Sequence, residues 1–172
     1  MPLYLDLDGV FADFDGQLRN YGVIKNDQTF HHTHPSTWTD AQIDLSNKVE
    51  KCMSMPGFWE EIPLMDRAYE LWDYCEPFKP IILTAIPNKE DWFEQIKDEK
   101  QRWIDKYLGF KTRVVYCLRS EKAQRANTVT DILVDDTTQN ILEWNNAGGT
   151  GILHTDVSDT IKKLAFTFEE IY

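Results

Sequence analysis

The chain has little cysteine, few positive charges and no long apolar run. Cys52, Cys75 and Cys117 are its only three cysteines, an odd number with neither CxxC nor CxxH spacing. That argues against a disulfide framework and predicts small buried thiols in a reducing, cytoplasmic compartment. Lys and Arg number 18 against 29 Asp and Glu, a formal charge of -11. Such a field repels long polyanions, so a nucleic-acid polymer or an anionic membrane surface would need a local basic stripe, and the sequence has none. A small phosphorylated molecule stays compatible, because one divalent cation and one or two placed Lys or Arg reverse the sign locally. No segment approaches the length of a membrane span, and the N-terminus enters a strand-like run with no basic stretch ahead of an apolar one, so a soluble protein is expected. Repeats and low-complexity tracts are absent as well.

What is present suits one core with one elaboration, since 172 residues are too few for two full-sized domains. Aromatics make up 13% of the chain, enough to line a pocket as well as fill a core. Short apolar, β-branched stretches at 3–7, 80–85, 113–118, 132–135 and 151–154 predict strands, and several run continuously apolar, as a parallel sheet covered on both faces requires. Helical patterns lie between them. Ala68, Leu71, Trp72 and Cys75 fall on one face, as do Trp103, Ile104, Tyr107 and Leu108 before Gly109. Ile141 and Leu142 begin another helix that Gly148 and Gly149 would end, and Ser158 is placed to cap a last one carrying Ile161 and Leu164. The alternation predicts an α/β fold: a Rossmann-like parallel sheet flanked by helices.

The first strand is followed by roughly 65 residues before the next, far more than a simple crossover needs. This predicts a small helical cap inserted after the first strand, over the carboxyl ends of the strands where open α/β sheets bind ligands. The expected division is a core of 1–13 and 76–172 and a cap of 14–75. The cap holds a polar stretch at 25–40, a helical face of Leu45, Val49, Cys52 and Met53, and an aromatic turn at Pro56, Gly57, Phe58 and Trp59.

Four places carry chemistry, each at or just after a predicted strand. The first runs Asp6-Leu7-Asp8-Gly9-Val10 and continues to Asp13-Phe14; two carboxylates two residues apart suit a hard cation, and one of such a pair can act as a nucleophile. Gly9 lets the backbone turn closely around whatever they hold. Thr84 offers a hydroxyl to a phosphate oxygen. Lys122 follows in Arg119-Ser120-Glu121-Lys122, where Ser120 is placed to cap a helix whose N-terminus favours an anion. Asp135 and Asp136 form a second acidic pair at the end of Ile132-Leu133-Val134.

An Asp-x-Asp, a Thr, a Lys and an acidic pair in this chain order resemble the four motifs of the haloacid dehalogenase-like phosphatase superfamily. Within it the chain looks most like the 5'(3')-deoxyribonucleotidases over nearly its whole length. The carriers are the first motif with Val10, Asp13 and Phe14, then Phe58-Trp59 through Leu64, Thr84, the helix end from Trp103 to Gly109, Leu118-Arg119 before Lys122, and the run from Asp131 to Asp136. The resemblance implies a magnesium-dependent phosphatase that hydrolyses (deoxy)nucleoside monophosphates through an aspartyl phosphate on Asp6. It implies that Asp8 donates a proton to the leaving oxygen and later activates water, and that Thr84 and Lys122 grip the phosphoryl group. Mg2+ would be held by Asp6, the Asp8 main chain and Asp136, with Asp135 a further ligand or an orienting group; Asp136 is expected to make the direct contact.

A nucleoside base invites aromatic stacking, for which Phe14, Phe58, Trp59 and Trp38 are candidates, and Arg119 is a candidate phosphate or sugar contact. The chain departs from the family pattern in three places: Ala85 stands where related nucleotidases often carry Ser, which bears on the substrate, the spacing from Arg119 to Lys122 is one residue longer than expected, and Thr137 stands where related chains often carry Arg. His31, His32 and His34 are expected in a solvated loop, and the charges from Lys89 to Lys106 on the wet face of an amphipathic helix. Expected partners are a small nucleotide and at most a second copy of the chain. The competing readings are a phosphatase of sugar phosphates or oligonucleotide 3'-phosphates, and a catalytically idle protein that binds a nucleotide or a partner.

Overall fold

The computed structural model describes residues 2–30 and 37–171. His31, His32 and His34 lie outside the described residues. Five strands form one sheet: β1 (Leu3–Leu5), β2 (Ile81–Ala85), β3 (Arg113–Cys117), β4 (Ile132–Asp135) and β5 (Thr150–Leu153). Every pairing is parallel and the order is β3-β2-β1-β4-β5. The chain winds outward from β1 to one edge and then crosses to the other side, so β1 is flanked by β2 and β4, the point where the winding reverses.

Among the described residues six α-helices accompany the sheet: α1 (Phe14–Asn20), α2 (Asp40–Met53), α3 (Ala68–Cys75), α4 (Phe93–Tyr107), α5 (Thr138–Asn146) and α6 (Val157–Ile171). Successive strand residues feed opposite faces. Leu3, Leu5, Ile82, Ile132 and Val134 pack with Leu71, Trp103, Ile104 and Leu164 from α3, α4 and α6. Tyr4, Leu83 and Leu133 pack on the other side with Ile141 and Trp144 of α5. Both faces are therefore dry, which explains the continuous apolar strand runs.

β1 is shorter than the predicted 3–7 because the backbone turns at once. Asp6 N still bonds Val134 O, but Phe11 N and Ala12 N then both donate to Leu7 O around Gly9 at φ +78°. The insertion holds α1, α2 and the aromatic turn, and its Leu18, Val49, Met53 and Phe58 are continuous with the main core. α3, assigned to the cap by sequence, packs against α6 and runs into β2 as a helix flanking the sheet.

Two predicted caps are corrected. Asp156, not Ser158, accepts the N–H of Asp159 at the start of α6, while Ser158 Oγ accepts from Arg67. The segment Arg119–Arg125 is a 3-10 turn with Leu118 ahead of it, whose N–H donates to Glu121, so Ser120 caps no α-helix. The glycine expectation for α5 holds: Ala147 closes the helix and Gly148 follows at φ +101°. No described helix is long and apolar enough to cross a membrane.

Candidate active site

The carboxyl ends of β1, β2 and β4 and the turn after β3 bring four separate sequence segments together. Lys122 Nζ stands 2.8 Å from Asp6 Oδ1 and 2.7 Å from Asp135 Oδ2, with all three side chains buried. Asp6 Oδ1 also accepts from Leu7 N, and among the described residues Asp6 Oδ2 takes no hydrogen bond. Burial by itself would lower the Lys122 ammonium pKa, but the charges of Asp6 and Asp135 outweigh it and the net shift is upward.

Asp135 is fully engaged. Thr137 N donates to Oδ1, Lys122 to Oδ2, and the Asn140 amide to both oxygens at 3.0 Å. Asp136, next in the chain, is only partly enclosed and takes none of these ties apart from the Thr137 hydroxyl. It lies so near the β1 turn that a Cβ at Gly9 would displace the Asp136 carboxylate.

Asp6, Asp135 and Asp136 each present an oxygen within 4.8 Å of the others, a donor set suited to a hard divalent cation. With Asp8 they make four carboxylates against two ammonium groups, Lys122 and Lys100, so a cation of charge two would balance the ionised site. Burial first, then Asp135, Asp8 and Asp136, hold the Asp6 carboxyl well above its ordinary range against the pull of Lys122. Partial burial and the Asp135 charge push the Asp136 carboxyl up to about 6.

Lys100 is the site residue that sequence reasoning missed. The charges from Lys89 to Lys106 do fall largely on the wet side of α4, but Glu99 and Lys100 are buried, Lys100 to 1% exposure. Its Nζ donates to Asp8 Oδ2 at 2.5 Å, to Thr84 Oγ1 at 2.9 Å and to Ala85 O at 2.9 Å, and lies 4.4 Å from the centre of the Trp59 ring. The signal was in the spacing: Lys100 falls on the apolar stripe of Ile96, Trp103 and Ile104, four residues after the first and four before the last. Glu99 beside it accepts from the main-chain N–H groups of Gly57 and Trp59, tying the aromatic turn to α4.

The remaining expected residues divide. Thr84 is fully buried, and its hydroxyl accepts from Lys100 rather than lying open. Phe14 is half-buried, its ring 5.6 Å from Trp59 and 5.8 Å from Phe58. Phe58 has no exposed surface and Trp59 only 3%, so in this packing they back Phe14 instead of offering open faces. Trp38 is half-buried. Arg119 turns away from the carboxylates: it pairs with Glu143 at 3.1 Å and donates to Asn140, the residue that holds Asp135.

No family model matches the sequence, and no curated protein matches it. Among solved structures, a Had-superfamily hydrolase from Ehrlichia chaffeensis is similar over 99% of this chain and 97% of that chain, with a TM-score of 0.53 and 12% identity. The chain shares the fold of that protein. A hydrolase from Streptococcus pneumoniae TIGR4 is also similar, over 95% of this chain and 97% of that one, at a TM-score of 0.46 and 14% identity, too loose a likeness to carry an argument. At these identities the likeness concerns the fold: a five-stranded parallel sheet with helices on both faces.

Proposed function

We propose that the chain is a phosphatase with an aspartate nucleophile, acting on nucleoside monophosphates and favouring deoxynucleotides. One observation carries the reading: Asp6, Asp8, Thr84, Lys122 and the Asp135–Asp136 pair, four motifs far apart in sequence, converge at the carboxyl ends of three adjacent strands. The resemblance to haloacid dehalogenase-like phosphatases and the shared fold support it.

Asp6 is held through Oδ1 by Leu7 N–H and Lys122, leaving Oδ2 to attack phosphorus as the bond to the nucleoside oxygen breaks. Asp8 gives that departing oxygen a proton, then takes one from the water that attacks the aspartyl phosphate. Lys122 keeps Asp6 aimed and stabilises charge developing on the phosphoryl oxygens. Mg2+ suits the site, with Asp6, the Asp8 main chain and Asp136 as holders and the saturated Asp135 behind them, and when bound it would screen the nucleophile from the phosphoryl charge. The half-buried Phe14 ring, backed by Trp59, supports a flat base as the leaving group's handle.

A second reading, a sugar-phosphate phosphatase, draws on the burial of Phe58 and Trp59, which leaves less open aromatic surface than the sequence suggested. The deciding experiment is phosphate release from 5'- and 3'-mononucleotides and sugar phosphates, each with Mg2+ and with EDTA. Mg2+-dependent release favouring deoxynucleotides is the expected result. Release from sugar phosphates alone would overturn the substrate and keep the chemistry. Asp6→Asn should lower turnover by more than about 1,000-fold, and substantial residual activity would sink the nucleophile assignment.

A further inference from the structure

We infer that Glu99 is a positioning residue for the base, holding Trp59 and through it Phe14 in place; the inference rests on the reading above that a nucleoside is the leaving group. Glu99 lies on α4 with 3% exposure, and its carboxylate is spent wholly inside the protein. Oε1 accepts from Gly57 N at 2.9 Å and from Gln95 Nε2 at 3.0 Å, while Oε2 accepts from Trp59 N at 3.1 Å. A buried carboxylate is costly unless such donors meet it. Main-chain N–H groups of two residues, each needing its own oxygen, suit a carboxylate; a side-chain amide offers one acceptor and puts a donor where the second should be. Glu99 therefore fixes both neighbours of Phe58 at once, in a turn where Gly57 stands at φ +85°.

The same turn is gripped by α1 and α2. The buried Gln17 donates from Nε2 to Phe58 O at 3.0 Å, and the Trp59 indole donates to Met53 O at 3.0 Å. Phe14 precedes Gln17 by three residues on α1, so the two share a face of that helix, and its ring stands 5.8 Å from Phe58 and 5.6 Å from Trp59. Helix α4, the aromatic turn and α1 thus form one connected support for the Phe14 ring, and Glu99 is its anchor on α4. The Trp59 ring also lies 4.4 Å from the Lys100 Nζ that donates to Asp8, so this support ends beside the acidic cluster. Freeing the turn from Glu99 shifts Trp59 and takes the backing from Phe14. Lys122, held by Asp6 and Asp135, is anchored independently, so the grip on the phosphoryl group stays.

The test is Glu99→Gln, which keeps the size of the side chain and sets an NH2 group against one of the two N–H donors. Two competitive inhibitors divide the site: the deoxynucleoside product reads the aromatic support, and inorganic phosphate reads the carboxylates and Lys122. The inhibition constant of the deoxynucleoside should rise on the order of 10-fold and that of phosphate by less than about 2-fold, with KM for the matching monophosphate raised and kcat within a few-fold of wild type. An equal rise for both inhibitors, a fall in kcat at constant KM, or no change overturns the inference, since a general loss of packing would not single out the base. Should Glu99→Gln fail to fold, Gln95→Met, which strips one donor from Glu99 Oε1, is read by the same ratio of inhibition constants, and a wild-type ratio there overturns the inference. Wild type separates the two levels. If it releases phosphate from no mononucleotide, or no deoxynucleoside inhibits it, the nucleotidase reading fails and this inference with it; wild-type inhibition by the deoxynucleoside with an unchanged ratio in the variant removes the role of Glu99 alone.

Discussion

Gly9 and Asp136 approach so closely that a Cβ on Gly9 would lie 2.0 Å from Asp136 Oδ2. Gly9 also sits at φ +78°, where an L side chain costs about 1–2 kcal/mol. Gly9→Ala should fold with a lowered melting temperature yet lose activity on the order of 100-fold, because the displaced Asp136 can no longer meet Asp6 across the site. A thermal melt beside a phosphate-release assay checks both halves. Activity within a few-fold of wild type would mean that Asp136 is not needed where it stands.

Adding Mg2+ should raise the melting temperature, and EDTA should reverse the rise. A ligand bound only by the folded state stabilises by about 2.7 kcal/mol at a hundred times its Kd. Asp136→Asn removes a direct donor of the acidic cluster, so its melting curve should respond to Mg2+ far less. An undiminished response would move the cation elsewhere.

Arg119 and Asn140 should behave differently although they touch. Arg119 is half exposed and bound to Glu143, so Arg119→Ala should cost less than about 1 kcal/mol and leave KM near wild type. Asn140→Leu strips both amide bonds from the buried Asp135 and should cost about 1–3 kcal/mol, with a fall in kcat. A large rise in KM for Arg119→Ala would return Arg119 to the substrate.

His154 gives a pH signature. Its ring is buried with Nδ1 against the Thr160 hydroxyl, and burial lowers its pKa below the ordinary 6.5. The unfolded chain therefore takes up a proton at a pH where the folded one does not. The stabilisation is complete above pH 6.5 and is lost as the pH falls through the lowered value. As the pH falls from 6.5 to the lowered value, the melting temperature should drop more steeply in wild type than in His154→Asn; parallel slopes there would contradict the assignment.

All three thiols are buried, and burial pushes the Cys75 thiol up to about 12. A thiol reagent should find Cys75 inert in native protein at neutral pH and reactive in denaturant. Prompt native labelling of Cys75 would mean that α3 opens from α6 more readily than its packing implies.

The candidate site residues legible in the sequence were those that strand ends deliver. Asp6, Thr84 and Asp135 each follow a short apolar run, and strand periodicity with chain order suffices to bring such residues to one edge of a sheet. The settings of Lys100 and Arg119 were not legible in the sequence, for opposite reasons. Lys100 stands among charged neighbours, so local composition resembled a solvated face, and only the distant Asp8 and Thr84 make its burial tolerable. Arg119 stands beside Lys122, but Glu143 and Asn140 on α5 capture it first.

The sequence by itself determined the parallel α/β sheet, the insertion after β1 and the acidic residues at the strand ends, because alternation and burial are local patterns that repeat along the chain. Only the tertiary structure decided that Asp135 is saturated while Asp136 is free, that Phe58 and Trp59 are packed behind Phe14, and that Lys100 belongs to Asp8. A side chain's charge or hydrogen bond finds its partner across 92 residues as readily as across four, and no pattern along the chain records which partner arrives.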